Sequence, residues 1–291
     1  MIMNYVTKIR AQIDIYARKK TSNLFDGSYK SIYQGNGLDF ENLREYIPGD
    51  NIRDIDWKAS SRSGKVLVKR YIAEKRHNIL LVFDTGIKMC AHTGKLEDKK
   101  ELALNAGGVL GYLAAKNGDQ VGALYNSNGS IQYYPLHSGL QNVEKIMTAY
   151  EREKCSGYES DLEKSLDYML RNIRRKGIVF VITDMAGICR LSESILKKMT
   201  CQFEVLVVGI GDADVTNGSS FRVEGQHYIP EFFSSNLRLA EKEKELKESL
   251  QAENEKKLLK YRVVSTMIHS REEMVERLVE LLGGHKYAGI R

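Results

Sequence analysis

Short, continuous apolar runs recur along the chain at 78–84 (NILLVFD), 177–184 (GIVFVITD) and 203–211 (FEVLVVGIG). Runs of this length, bounded by Gly or Asp, predict strands of a parallel sheet covered on both faces. Between them the apolar period lengthens to three or four. Leu102, Ala106, Leu110 and Leu113 predict a helix over 97–117 that stops at Asn117-Gly118. Leu162, Leu166, Met169 and Ile173 predict another over 160–174, headed by Ser160, and 191–199 a shorter one. Residues 120–126 and 130–135, joined by Asn128-Gly129, predict a β-hairpin. A long helix over 235–260, a strand at 262–266 and a helix at 271–282 repeat the alternation. The expected fold is α/β, a doubly wound and mostly parallel sheet with crossover helices and one antiparallel edge.

The long helix carries interspersed Lys and Glu, and Leu239, Leu246, Leu250 and Leu258 form only a narrow stripe. A surface helix with one side on the sheet is favoured over a coiled coil. Ahead of the sheet, residues 1–23 hold an amphipathic helix with Tyr5, Ile9, Ile13 and Tyr16 on one face. Residues 24–77 are rich in Gly, Asp, Arg and Tyr and read as a small β-rich subdomain, followed by the α/β domain at 78–285.

Charge and composition narrow the function. The chain has 291 residues, a net charge of +6 and 28% charged residues, the balance of an ordinary globular protein. Its four cysteines are widely spaced and form no CxxC pair, which suits a reducing compartment and argues against structural zinc. No run has the ~18 uninterrupted apolar residues of a membrane span, so a cytoplasmic, unanchored protein is expected. Neither G-x-x-x-x-G-K-[ST] nor G-x-G-x-x-G is present, nor HExxH nor GxSxG. No catalytic residue is assigned, and the chain is not expected to be an enzyme.

Two of the buried strands end in aspartate, at Asp84 and Asp184. Ligands of open α/β sheets bind outside the carboxyl ends of strands, where the strand order reverses. Carboxylates there, with the Ser160 hydroxyl, can hold a hard divalent cation. They can equally cap the turns that follow, and on spacing alone both readings stand.

These residues resemble the von Willebrand factor A domain, whose Asp-x-Ser-x-Ser, distant Thr and further Asp hold Mg²⁺. Here the first motif reads Asp84-Thr85-Gly86-Ile87-Lys88, so Gly86 and Lys88 stand where the family has serines. Ser160 takes the place of the Thr and Asp184 that of the last Asp. An ammonium about 4 Å from a dication is repelled by roughly 8 kcal/mol at an effective dielectric near 20. The resemblance therefore implies a degenerate site without a tightly held metal, weak Mg²⁺ at Asp84/Asp184 staying open. Lys88 either swings away or takes the metal position between Asp84 and Asp184.

Residues 35–76 are similar to the signature of the DUF58 family, in which a von Willebrand factor A-like fold follows such a segment. Phe40, Arg44, Tyr46, Pro48, Gly49, Asp50, Arg53, Ile55, Asp56, Trp57 and Arg62 match its pattern. On residue chemistry Pro48-Gly49 is a turn, and Arg44, Arg53 and Arg62 suit pairing with Asp50, Asp54 and Asp56. Trp57 is a large anchor. Arg44, Tyr46, Asp50, Arg53, Asp56, Trp57 and Arg62 thus either brace the subdomain or dock a partner, the structural role being favoured. The resemblance implies a non-catalytic adaptor for a MoxR-type AAA+ ATPase and a client protein, in maturation or complex assembly. The alternatives are a Mg-dependent binding module or hydrolase using the strand-end carboxylates and, less favoured, nucleic-acid binding through the basic run at 58–76.

Overall fold

The computed structural model describes residues 5–19, 39–48, 50, 52–72, 77–127, 129–154, 162–214, 216, 222–224, 227–228 and 237–288. The chain divides into two units, residues 33–76 and the remainder. The smaller unit pairs β1 (Asp39–Glu45) antiparallel with β2 (Leu67–Ile72), with a 3₁₀ turn (Ile52–Asp54) and helix α2 (Trp57–Ser63) between them. Strands were expected here; the helix was not. Asp56 caps that helix by accepting from the Ala59 N–H at 3.0 Å, and Gly64 closes it in the left-handed region, φ 70°.

The larger unit is a six-stranded sheet. In chain order its strands are β3 (Asn78–Phe83), β4 (Gln120–Ser127), β5 (Ser130–Ser138), β6 (Ile178–Asp184), β7 (Glu204–Ile210) and β10 (Val264–Ile268). A short antiparallel pair, β8 (Arg222–Glu224) and β9 (His227–Tyr228), lies outside it. The spatial order is β10-β7-β6-β3-β4-β5, parallel throughout except for β5, which returns from β4 as the expected hairpin. Counted within the sheet this is the 3-2-1-4-5-6 winding, and the order reverses between β3 and β6. Every residue of β6 is buried, which explains why its sequence reads as a run rather than an alternation.

Helices cover both faces: α1 (Tyr5–Lys19), α3 (Lys99–Lys116), α4 (Leu140–Arg152), α5 (Leu162–Asn172), α6 (Met185–Arg190), α7 (Glu193–Gln202), α8 (Leu237–Lys260) and α9 (Arg271–Ala288). On one face Leu80, Val82, Val181 and Val207 pack against Leu166, Leu196 and Leu258. The other face belongs to α3, which is buried from Leu102 to Ala114 rather than along one stripe. A Cβ on Gly107 would lie 2.5 Å from the Phe83 ring, and one on Gly108 would lie 2.3 Å from Ile9 Cδ1, so small residues seat α3 on the sheet and α1 on α3. Both N-terminal amides of α1, at Tyr5 and Val6, donate to the Glu144 carboxylate at 2.8 Å.

Two expectations shift. The last strand starts two residues later than expected, because Tyr261 and Arg262 form a turn, with Arg262 in the left-handed region at φ 57°. The cysteines are not all thiols: Cys189 and Cys201 are free, but Cys90 is disulfide-bonded. Spacing along the sequence does not report which sulfurs the fold brings together. Among the described residues no helix is long and apolar enough to cross a membrane.

Gly107→Ala tests the packing of α3. Alanine favours the helix by roughly 1 kcal/mol, yet the clash with Phe83 should dominate and destabilise the fold by about 1–3 kcal/mol. The check is a lower denaturant midpoint at unchanged slope.

Candidate functional site

At the reversal point the chain leaves β3 and β6 through aspartates. Asp84 is buried, its Oδ1 accepting from the Gly86 N–H at 2.9 Å and its Oδ2 from the Thr183 hydroxyl at 2.5 Å. The Thr85 hydroxyl donates to the Asn126 carbonyl, and Tyr150 to the Asp84 carbonyl at 3.3 Å. Asp184 is equally buried and caps α6, its Oδ1 accepting from the Gly187 N–H at 2.8 Å. A Cβ on Gly187 would fall 1.9 Å from Thr183 Oγ1 and 2.9 Å from Asp84 Oδ2, so only glycine lets the two strand ends close on each other here.

The second oxygen of Asp184 meets a cation from an unexpected place. Lys99, the first residue of α3, is 1% exposed, and its Nζ donates to Asp184 Oδ2 at 3.1 Å, to Asp212 Oδ1, and to the Lys88 carbonyl at 3.3 Å. An ammonium has three N–H donors, and three oxygens take them. Asp212 follows β7, so the lysine joins the ends of β6 and β7 to the 3₁₀ turn (Ile87–Cys90) after β3. Burial by itself would lower the Lys99 pKa, but Asp212 and then Asp184 more than reverse this, holding it above the ordinary lysine value of 10.5. A cation at a helix N-terminus also opposes the helix dipole, so the carboxylates are what keep it there.

The structure therefore places the site residues as follows. Asp84 and Asp184 lie at neighbouring strand ends, as their sequence context implied, and the Gly86 amide serves Asp84. Lys88 does not occupy the position between the carboxylates; it contributes its main-chain carbonyl, and its side chain lines a groove alongside. Lys99 takes that position, with Asp184 and Asp212 rather than Asp84. Ser160 lies outside the described residues. Thr183, Lys99 and Asp212 were missed from sequence.

The donor set does not fit a dication. A hard cation needs several oxygens with free lone pairs facing one point. Both oxygens of Asp84 and of Asp184 already accept hydrogen bonds, and an ammonium occupies the space between Asp184 and Asp212. Among the described residues no group of three or more His, Cys, Asp or Glu is arranged to hold a metal.

In the smaller unit, taken by itself, the signature residues mostly shape the chain. Asp50 accepts from Arg44 at 2.5 Å and from the Ile47 N–H at 3.0 Å, closing the turn around Pro48. Hydrogen bonds to Arg44 first, and then to Ile47, hold the Asp50 carboxyl below its usual range. Asp56 caps α2 and pairs with Lys69 at 3.6 Å. Arg62 is exposed and Tyr46 half-buried; the Arg53 side chain lies outside the described residues. Trp57 is 66% exposed. The basic run is partly neutralised, Lys65 by Glu45 and Lys69 by Asp56.

The model of the family described as "Protein of unknown function DUF58" matches residues 42–217. The chain belongs to the DUF58 family. Rv1480 of Mycobacterium tuberculosis, an uncharacterized protein, is 25% identical over 202 residues, 69% of this chain and 63% of the relative. Mb1516 of Mycobacterium bovis, also uncharacterized, matches to the same extent. The DUF58 chain thus spans 63% of the length of these curated relatives. Among solved structures it is similar to BatB of Bacteroides thetaiotaomicron, at 13% identity and a TM-score of 0.44 over 72% of this chain and 99% of that one. It is also similar to a von Willebrand factor type A protein of Catenulispora acidiphila, at 13% and 0.41 over 76% and 44%.

Lys99→Met removes the charge but keeps the bulk. It should destabilise the fold by about 3–5 kcal/mol, since two carboxylates lose their cation. The sign of the pH dependence follows from the raised lysine pKa. The stabilisation is complete below 10.5 and is lost as pH rises through the higher folded value. Melting wild type and Lys99→Met from neutral to strongly alkaline pH should show a constant gap that narrows only above about 10.4.

Proposed function

We propose that this DUF58 chain is a non-catalytic, protein-binding adaptor that works with a MoxR-type AAA+ ATPase in protein maturation or complex assembly. The observation that carries the binding role is a groove of about 740 Å³ beside the strand-end site. Its walls are apolar, formed by Met185 and Ala186 of α6 and by Leu239, Leu246 and Leu250 of α8. Lys88, Arg190 and Lys242 also line it, together with Asp212, which pairs with Lys99, and Glu243, which pairs with Lys247. Leu246 is 60% exposed and Leu239 40%, whereas Leu258 of the same stripe is buried in the core. The stripe on α8 therefore seats the helix at one end and leaves leucines open at the other.

An apolar helix bearing carboxylates matches this surface, burying its leucine-sized side chains against α8 and meeting the cations Lys88, Arg190 and Lys242 of the lining. Acting catalytically would require a group free to attack or to exchange protons. Asp84, Asp184 and Lys99 are each held by partners in the folded chain, which favours a binding role. The choice of a MoxR-type ATPase rests on the family resemblance.

Binding of the purified MoxR-type ATPase from the same source, measured by calorimetry with and without ATP, is the test. Wild type should bind, and Leu246→Glu should lose tenfold or more in affinity, as at interface hot spots, while melting like wild type. Loss in Trp57→Ala with Leu246→Glu unaffected would move the interface to the smaller unit. No binding in either nucleotide state would remove the ATPase as partner.

A further inference from the structure

We infer that the Lys99 ammonium is a resident, covalently tethered cation standing in for a divalent ion, and that Asp184, Asp212 and the Lys88 carbonyl form a latent divalent-cation site that its removal opens. Three observations converge on this. The first is place: the ammonium lies at the carboxyl ends of adjacent strands beside the point where the winding reverses, where open α/β sheets hold ligands. The second is the partner set, two carboxylate oxygens and one main-chain carbonyl, which are hard oxygen donors of the kind Mg²⁺ and Mn²⁺ take. The third is isolation. Lys99 and Asp184 are 1% and 2% exposed and Asp212 30%, and the lysine's three donors all go to these oxygens.

Charge explains why one cation excludes the other. With Lys99 charged, a dication would have to displace an ammonium that the backbone of α3 cannot release far. Cut back to alanine, the same position leaves two carboxylates facing a gap where a side chain lay, and water can complete the coordination that Mg²⁺ usually keeps. Asp84 stays outside this set, because its oxygens are spoken for by Gly86 and Thr183. The inference is independent of the adaptor reading: it concerns the cation, not what binds nearby.

The experiment is Mn²⁺ titration, followed by calorimetry and by electron paramagnetic resonance of free Mn²⁺, on wild type, Lys99→Ala, and Lys99→Ala with Asp184→Asn. Wild type should bind no stoichiometric Mn²⁺ and melt at the same temperature with millimolar Mg²⁺ or with EDTA. Lys99→Ala should bind one Mn²⁺ and regain several degrees of melting temperature when it is added, and the double variant should lose at least tenfold in that affinity. Should Lys99→Ala not fold without metal, refolding it with and without Mn²⁺ reads the same site: metal-dependent recovery supports the inference, and equal failure in both overturns it. One Mn²⁺ bound by wild type and lost on Asp184→Asn would overturn it as well, as would a folded Lys99→Ala indifferent to Mn²⁺.

Discussion

A buried ammonium organises the working end of this fold. Taking Lys99 out of water costs several kcal/mol even after relaxation, and the carboxylates of Asp184 and Asp212 must offset that with good geometry. They do so from the ends of two adjacent strands, while the third acceptor comes from the turn after β3. The first residue of α3 is therefore tied to three strand ends at once. A well-packed apolar set of the same volume would serve stability about as well. What the ion pair adds is register, since neither carboxylate can move by a residue without stranding a charge.

The neighbouring contacts depend on that register. Asp184 divides its two oxygens between Lys99 and the first turn of α6, so the helix start and the lysine fix each other. The absence of a side chain at Gly187 then brings Thr183 and Asp84 together, closing β3 against β6. Along the same edge Lys88 gives its carbonyl to Lys99, which directs its side chain to the groove by α8 rather than inward. The charges that would compete for a metal are in this way also the ones that shape the apolar surface beside them.

The sheet was legible because strands buried on both faces leave continuous apolar runs, and Asp84 and Asp184 were legible because they end such runs. Asp212 repeats the pattern less visibly, two residues past β7 and behind Gly211. Lys99 could not be found that way. It lies in the polar run Glu97-Asp98-Lys99-Lys100-Glu101, where nothing local separates it from Lys100, whose ammonium instead donates to the carbonyls of Glu151 and Glu153. Which lysine turns inward is set by the helix phase that the Asp98 cap imposes and by carboxylates 85 and 113 residues away. The burial of α3 on every side was hidden for a related reason: glycines at 107 and 108 look like weak helix positions until the partners they admit are known.

The signature at 35–76 divides by chemistry in a way its pattern conceals. Its polar members are occupied with the backbone: Arg44 and Asp50 close a turn, and Asp56 starts a helix. Such contacts between exposed groups stabilise little individually, but each fixes a local conformation. Of its apolar members Tyr46 and Ile55 are half-buried but Trp57 is 66% exposed, and Ile52 and Ile47 within the same stretch are 65% and 60% exposed. A tryptophan so placed leaves most of its surface to solvent, and large exposed aromatics are enriched where partners bind. Any docking through this segment therefore rests with Trp57 and its apolar neighbours, whereas loss of Asp50 or Asp56 would act by undoing the turn and cap that present them. Substituting Asp50 and Trp57 together would merge these two effects; each must be changed alone for either role to be read.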